Sequence, residues 1–343
     1  MKKLFLTIIY TLIILTSVTE AQLFRDITKV GTTAAQFLKV GAGARAMAMG
    51  GAYTAVSDDI YAAYWNPAGI AGSEGNGQAA FNHTSWLADI TYDYAAGSLT
   101  SPEMGTIFAT LTSLGVPEDK VRTFDYPEGD GRYWNASSIA IGAGFARKLT
   151  DRFSIGFQAK YIQENIWNTS ATGFALDVGT YYVTPFNDLV IGASISNFGS
   201  KMKLDGRDIQ FNNDPNGTSN SGPNNIPSLY EMDQYDIPLM FKIGLSMDVV
   251  KSRFFRVKAA VDANHPNDNN EYVNTGLELA YDNMLFVRGG YRALFLNESE
   301  QSYTFGGGLN YEVTPGLKVV FNYAYANYGR LKNIQYIDLG IVF

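Results

Sequence analysis

The chain has 343 residues, a net charge of −7 and no cysteine, which excludes disulfides, thiolate nucleophiles and cysteine metal sites. The negative charge argues against a nucleic-acid partner, because nucleic-acid-binding proteins present a basic face. With 22 Tyr, 21 Phe and 34 Gly, the composition is typical of β-barrels whose aromatic side chains lie at membrane interfaces.

Residues 1–21 predict a signal peptide. It has a basic end (Lys2 and Lys3), an apolar core over Leu4–Leu15 and a cleavage site at Thr19–Ala21. A membrane anchor is the alternative, but the apolar run is short for a transmembrane helix. No later run has the length of a membrane-spanning helix. A spanning protein must therefore be a closed barrel, which leaves no backbone group unpaired in the bilayer.

An N-terminal arm and an unusual small-residue stretch follow. Gln22–Gln36 is mixed in composition, and Thr33–Lys39 predicts either a short helix or part of a flexible tail. Phe37–Gly72 then packs Gly and Ala around one Arg, one Asp pair and one Asn-Pro. Small residues let backbones approach closely, so this stretch predicts a compact, irregular plug inside the strands that follow it.

One part of the plug predicts a helix. Ser57 is a good N-cap residue, and Ile60–Trp65 would form the helix. Pro67 disfavours helical angles at the residue before it, so the helix should end there.

The acidic pair in the plug, Asp58 and Asp59, has two interpretations. Both residues fall in the first turn of the predicted helix, where the dipole favours negative charge. They also lie near Arg45, the only base between Lys39 and Lys120. An arginine inside a barrel needs a carboxylate partner, because an unpaired buried charge is costly.

Fourteen strand candidates follow the plug, so residues 22–76 are predicted as arm and hatch and residues 77–343 as an antiparallel transmembrane β-barrel. Phe321 alternates with Asn322 in the thirteenth strand, so Phe321 is expected on the lipid face and Asn322 in the lumen. The candidates are 77–85, 88–100, 104–115, 133–149, 153–166, 171–184, 188–204, 237–250, 253–265, 271–281, 284–294, 301–313, 317–329 and 332–343.

The connections favour a membrane barrel over a soluble β-sandwich or lipocalin-like barrel, the alternatives for an alternating pattern. Connections after even strands are short, whereas Val116–Arg132 and Asp205–Asp236 are long and follow odd strands. Short turns at one end and long loops at the other characterise outer-membrane barrels. With an even number of strands both barrel termini lie on the short-turn, periplasmic side, and the plug is expected to start from the periplasm.

The chain offers little for catalysis, and no cofactor or metal site is predicted. His83 and His265 are the only histidines, and nothing supplies the nucleophile, base and orienting group of a hydrolase. The acidic loop residues have no spacing of a calcium loop and are interpreted as solvated. Gly306–Gly308 lies within a strand, where it predicts a kink or a close approach of the plug.

The plug carries an ordered set of motifs that resembles the N-terminal hatch of FadL-like outer-membrane barrels. The amino-acid sequence of the whole stretch is similar to one branch of these barrels, the PorV/PorQ family associated with type IX secretion. The set comprises Gly43-Ala44-Arg45-Ala46, Gly50-Gly51-Ala52, Asp58-Asp59 and Asn66-Pro67-Ala68-Gly69.

The resemblance implies an outer-membrane protein in contact with lipid, and two kinds of function. PorV/PorQ-type members receive the C-terminal domains of exported proteins and work with other secretion components. FadL-type members carry hydrophobic small molecules past the hatch, which is the alternative here, and a purely structural porin is a third. Phe343 ends an alternating strand, as the assembly signal of outer-membrane barrels commonly does.

Overall fold

The structure, a computed structural model, describes residues 29–214 and 225–343. The predicted signal peptide, most of the arm and much of the Asn- and Gly-rich loop lie outside these residues. Fourteen long strands form the main sheet: β1 Gly77–Ser85, β2 Thr91–Ser101, β3 Gly105–Lys120, β4 Tyr133–Thr150, β5 Phe153–Ile166, β6 Thr169–Val183, β7 Val190–Gly199, β8 Met240–Lys251, β9 Phe255–Pro266, β10 Tyr272–Tyr281, β11 Leu285–Leu294, β12 Tyr303–Thr314, β13 Leu317–Asn327 and β14 Asn333–Val342.

These strands close into an antiparallel barrel. Each pairs with its neighbour in the chain, and β14 pairs with β1 from Gln78↔Val342 to Ser85↔Gln335. Closure leaves the ring of fourteen long strands without an open edge, as a bilayer requires. The predicted fold class, a transmembrane antiparallel β-barrel of about fourteen strands, is confirmed.

Side chains alternate between the two faces of the wall. Phe321 is 45% exposed on the outside, whereas Asn322 is 2% exposed inside. In β9, Val261 likewise points outward and Asp262 inward. The predicted register is therefore correct, and it gives an apolar outer band around a polar lumen. Among the described residues, no helix has the length and apolarity needed to cross a membrane.

The two ends of the barrel differ. At one end, called the short-turn end, the strands are joined by connections such as Pro102–Met104, and both the start of β1 and the last residues of the chain lie there. At the other, the long-loop end, β3 extends to Lys120, beyond its predicted end at residue 115, whereas β4 begins at Tyr133 as predicted. Residues 121–132 form the loop between them. Where the structure describes it, the connection between β7 and β8 also carries four short strands: Met202–Gly206, Gln210–Asn213, Ile226–Leu229 and Gln234–Tyr235.

Residues 33–76, named here the inner segment, are irregular with short helical turns. These are a 3-10 turn at Gln36–Lys39, α1 at Ala44–Ala48, α2 at Ala62–Trp65 and a 3-10 turn at Pro67–Gly72. Three further 3-10 turns lie in loops at Leu87–Asp89, Arg207–Ile209 and Gly329–Leu331.

The predicted helix is shorter at its start than expected. It ends at Trp65 before an extended Asn66, as predicted, but it begins at Ala62. The predicted N-cap role of Ser57 is wrong, because the Ser57 hydroxyl donates instead to the Tyr53 carbonyl at 2.6 Å. That bond holds the tight turn that precedes the helix.

Candidate functional site

The inner segment runs the length of the lumen. Its first residues lie at the long-loop end, where Thr33 forms a β-bridge with Asp236 and Lys39 Nζ lies 2.5 Å from Asp268. Its last residues reach the short-turn end, where the Asn76 N–H donates to the Phe343 carbonyl at 2.6 Å. The expectation that the plug starts from the periplasmic side is wrong, because the chain enters from the long-loop end and crosses the lumen before β1.

Inward-facing carboxylates of the barrel bind the backbone of the inner segment. Asp262 Oδ2 accepts from the N–H groups of Tyr53 and Thr54, both at 2.8 Å. Asp338 Oδ2 accepts from the N–H of Ala44 at 2.7 Å, at the start of α1. An irregular buried backbone needs such partners, because it has no ladder of its own. The two carboxylates therefore fix the segment at two heights in the lumen.

Arg45 is the centre of an ion-pair cluster. Its Nε lies 2.8 Å from Glu278 Oε2 on β10, and its Nη1 lies 2.5 Å from Asp58 Oδ1 and 3.2 Å from Asp59 Oδ2. Lys258 Nζ on β9 lies 3.1 Å from the other oxygen of Asp58. Asp58 thus joins Arg45 to the barrel wall, as the second interpretation of the acidic pair expected.

Asp59 makes two further contacts within the inner segment. Its Oδ1 accepts from the Tyr61 N–H at 3.0 Å, next to the start of α2, and the Tyr53 hydroxyl donates to its Oδ2 at 2.6 Å. The Arg45 contact of the second interpretation is therefore present, whereas the capping interpretation is wrong, because α2 begins at Ala62 with no acidic residue in its first turn and no side-chain cap.

The barrel wall continues the cluster beyond Arg45. Glu278 accepts from Arg288 Nε at 2.7 Å and from Arg256 Nη2 at 3.1 Å. Arg288 Nη1 donates to Asn322 at 2.7 Å, and Asn322 donates to Asp338 at 2.8 Å. These contacts lead back to Asp338, the carboxylate that binds the start of α1. The inner segment and the barrel wall therefore form one connected network of hydrogen bonds and ion pairs.

Burial and charge shift the pKa values of the segment's own groups. Burial alone would raise the pKa of Asp58, but the charges of Arg45 and Lys258 outweigh it and hold the pKa below its usual range. For Asp59, burial dominates and raises the pKa, despite the opposing charge of Arg45. The pKa of Arg45 lies well above its usual value, because the attraction of Asp58 and Glu278 exceeds the cost of burial. Arg45 and Asp58 therefore form a charged pair at neutral pH.

Gly50 allows the inner segment to lie against the wall. It has φ +67°, and a Cβ there would be 2.7 Å from the Thr275 carbonyl oxygen. On the wall, a Cβ at Gly290 would be 2.3 Å from Met49, and one at Gly306 would be 2.7 Å from Ala48. The glycine run of β12 thus marks a close approach of the plug, one of its two predicted roles.

The Asn-Pro motif holds the inner segment against the barrel wall near the short-turn end. Asn66 Nδ2 donates to the carbonyls of Thr54 and Thr180 at 2.9 and 3.0 Å, while its Oδ1 accepts from the Ala68 N–H at 3.2 Å. Pro67 follows as the first residue of the 3-10 turn and packs against Gly156 of β5. The amide of Asn66 therefore joins two parts of the segment to the wall.

The remaining glycines of the motif set lie against the segment itself or, for Gly51, also against the wall. Gly43 precedes α1 with φ +88°, beneath the Tyr61 ring. The Gly51 carbonyl accepts from Asn274 Nδ2 at 3.4 Å. A Cβ at Gly69 would be 2.0 Å from the Ser57 carbonyl oxygen, so only glycine fits there.

The sequence analysis did not identify the wall residues that hold the segment, above all Glu278, Asp262 and Asp338. The sequence did contain a signal for them, because each is a carboxylate on the polar face of an alternating strand. An isolated charge is costly there, so each carboxylate indicates a partner inside the lumen. Barrel closure decides which strand faces which part of the inner segment. The alternation of polar and apolar residues within a strand carries no information about closure.

Cavities at the two ends of the lumen are separated by the inner segment. One of about 400 Å³ is reached from the short-turn end and includes Arg45, Glu74 and Lys318 in its lining. One of about 260 Å³ lies at the long-loop end, beside Arg292 and Glu300. The two share no lining residue.

The histidines are remote from the network. His83 Nδ1 lies 2.7 Å from Asp93 across β1 and β2, and His265 Nδ1 lies 2.8 Å from Glu271. In the described part of the chain, neither ring is hydrogen-bonded to a serine or threonine hydroxyl. Both are exposed pairs near the long-loop rim.

Comparison with known proteins gives a family and a fold. A sequence model of the family described as type IX secretion system protein PorV matches residues 24–226, more than half of the chain. None of the curated proteins matches the chain in sequence at a significant level.

Solved structures of FadL-like barrels resemble the chain in fold. The toluene transporter TbuX of Ralstonia pickettii has a TM-score of 0.54 and 13% identity, over 88% of this chain and 97% of its own. The toluene transporter TodX of Pseudomonas putida has a TM-score of 0.53 and 14% identity, over 88% and 96%. A FadL homologue of Pseudomonas aeruginosa has a TM-score of 0.50 and 11% identity, over 86% and 96%. At these identities the likeness concerns the fold alone.

Proposed function

Because the chain belongs to the PorV family of type IX secretion system proteins, we propose that this outer-membrane barrel receives the C-terminal domains of exported proteins at its long-loop end. In this proposal the inner segment is a hatch that stays in place, and the long loops at the outer rim of the barrel bind the exported domain. Contact with other secretion components belongs to the same proposal.

The observation that carries the proposal is the aromatic surface of the long loops. Phe124 is fully exposed, and Tyr126 in the same loop is largely exposed. In the β7–β8 connection, the ring centroids of Phe211 and Tyr230 lie 4.6 Å apart, next to exposed Leu229. Aromatic side chains dominate the binding energy of protein interfaces, and exposed apolar clusters mark interaction sites. A folded protein domain is the partner that such a raised, aromatic rim fits.

The lumen argues against the alternative, transport of hydrophobic small molecules. A hydrophobic solute would have to pass buried charges such as Glu278, Arg288 and Asp262, each bound to a partner. Moving the inner segment aside would remove the two backbone donors of Asp262, and an apolar solute would replace the polar surroundings of the Glu278–Arg288 pair. Apolar contacts do not offset that cost.

Paired measurements on the purified barrel test the proposal: capture of a secreted protein's C-terminal domain, and flux of toluene into liposomes. We expect capture without flux. Replacing Phe124 and Tyr126 together by alanine should weaken capture at least tenfold, because both rings are lost from the rim. Phe186→Ala is the matched control, since Phe186 is an exposed aromatic residue in a short turn at the opposite end. Toluene flux with no capture would overturn the proposal in favour of transport.

A further inference from the structure

A small polar chamber lies in the lumen between the inner segment and the barrel wall, away from the Arg45 network. Its volume is about 40 Å³, enough for about three water molecules. Lys160, Lys242, Arg292 and Asp177 bring charge to it, and Gln158 and Ser196 add neutral polar groups.

Lys242 on β8 has no polar partner in the chamber. The residue is 7% exposed, and its Nζ makes no hydrogen bond or ion pair with any residue in 29–214 or 225–343. Its Nζ lies 5.0 Å from the centroid of the Trp65 ring and 5.8 Å from that of Tyr64, both on the inner segment. Contact with two ring faces compensates a buried ammonium only in part, and leaves its three N–H donors unused.

The other cations of the chamber do not all have carboxylate partners. Lys160 Nζ is paired with Asp177 at 2.8 Å. Arg292 donates through Nη1 and Nη2 to the carbonyls of Val40 and Lys39, both at 3.2 Å, and its buried Nε has no hydrogen-bond partner. Lys39, also in the lining, is neutralised by Asp268 outside it.

Counting the charged side chains that line the chamber leaves positive charge in excess. Lys39, Lys160, Lys242 and Arg292 are the cations of the lining, and Asp177 is its carboxylate. With Lys39 neutralised by Asp268, three cations face one carboxylate, which is already paired with Lys160. A buried excess charge is costly without a counter-ion.

We propose that this chamber is a binding site for one compact oxyanion, a carboxylate or phosphate of about five heavy atoms, held by Lys242 and Arg292. The volume limits its size, and the donors select an anion with several acceptor oxygens. Entry is from the long-loop end, because the cavity there shares Lys39, Met240, Tyr272 and Arg292 with the chamber. The site is independent of the proposed secretion function. By neutralising Lys242 against Trp65, the anion would strengthen the seating of the inner segment.

Equilibrium dialysis of the full-length barrel in detergent, with radiolabelled phosphate and acetate in separate arms, tests the proposal. We expect one anion bound per chain. Lys242→Met, which keeps the length of the side chain, should weaken binding at least tenfold. Lys318→Met is the matched control, because Lys318 pairs with Glu74 at the opposite end of the lumen. The heat-dependent gel shift of folded barrels verifies folding of each variant.

A second variant keeps the test decisive where Lys242→Met fails to fold. Ser196→Leu retains every charge but fills the chamber, so it should also abolish binding. Wild-type protein that binds neither anion above the detergent blank would overturn the proposal. Binding that survives Ser196→Leu would do the same, and so would binding of decanoate with none of acetate or phosphate, which would indicate a site for long chains.

Discussion

Replacing Arg45 by methionine should loosen the inner segment without unfolding the barrel. Arg45 makes four contacts of 2.5 to 3.2 Å with the carboxylates of Glu278, Asp58 and Asp59. Methionine keeps much of the side-chain volume and removes every one of them. The barrel strands pair with one another and need no bond to the segment, so the effect should be confined to the segment.

The size of the effect depends on which hydrogen-bond and ion-pair partners the three carboxylates keep when Arg45 is lost. Glu278 keeps Arg288 and Arg256, Asp58 keeps Lys258, and Asp59 keeps the Tyr53 hydroxyl. Breaking a buried ion pair costs about 3–5 kcal/mol, and these remaining partners place the cost near the lower end, about 3 kcal/mol. At about 1.4 kcal/mol for each factor of ten, the open population of the segment should rise on the order of a hundredfold.

Cysteine labelling measures that population, because the chain has no cysteine of its own. A reporter at Ala46→Cys is fully buried, so a maleimide reacts only when the segment opens. When reclosing is fast, the labelling rate is proportional to the open population. We expect an increase on the order of a hundredfold with Arg45→Met, and none with Arg122→Met, which removes an exposed pair with Asp119. An unchanged rate in a barrel that still shows the heat shift would refute the reasoning.

Four further predictions follow from the wall and the segment. Phe321→Arg should cost about 2–4 kcal/mol in chemical unfolding if Phe321 lies near the bilayer midplane. Val320→Arg, which faces the short-turn cavity, should cost much less, and equal costs would mean that the register is wrong. The lowered pKa of Asp58 contributes stability above its ordinary value of 3.8, and this stability is lost as the pH falls below that value. Labelling of the reporter by a pyridyl disulfide should therefore rise on acidification, and Asp58→Asn should flatten the rise; an equally steep rise in the variant would contradict this. Deleting Tyr336–Phe343 should abolish insertion, because β14 closes the barrel against β1 and β13, and a truncated protein that still shows the heat shift would count against it. Val30→Cys should react with an impermeant maleimide on intact cells, because the segment starts at the long-loop end, and reaction only after permeabilisation would reverse that assignment.

The sequence by itself determined the barrel. Period-two alternation, as in Phe321 and Asn322, is a local property of each strand, and it survives in the structure as lipid-facing and lumen-facing sides. The asymmetry of loop lengths is also local, and it identified the two ends of the barrel. The end of the helix before Pro67 followed from the geometry of a single dipeptide.

Contacts across the lumen were decided only by the tertiary structure. Arg45 and Glu278 are 233 positions apart, and no pattern in either stretch relates them, since β10 comes to face α1 only when β14 pairs with β1. The same holds for Ser57: its sequence favours an N-cap, but packing of the segment against the wall draws its hydroxyl to the Tyr53 carbonyl. The direction of the inner segment has the same cause, because side chains such as Asp268 and Arg292, far along the chain, bind its first residues at the long-loop end. Local alternation specifies which face of the wall a residue takes, whereas closure of the barrel specifies which residue it meets.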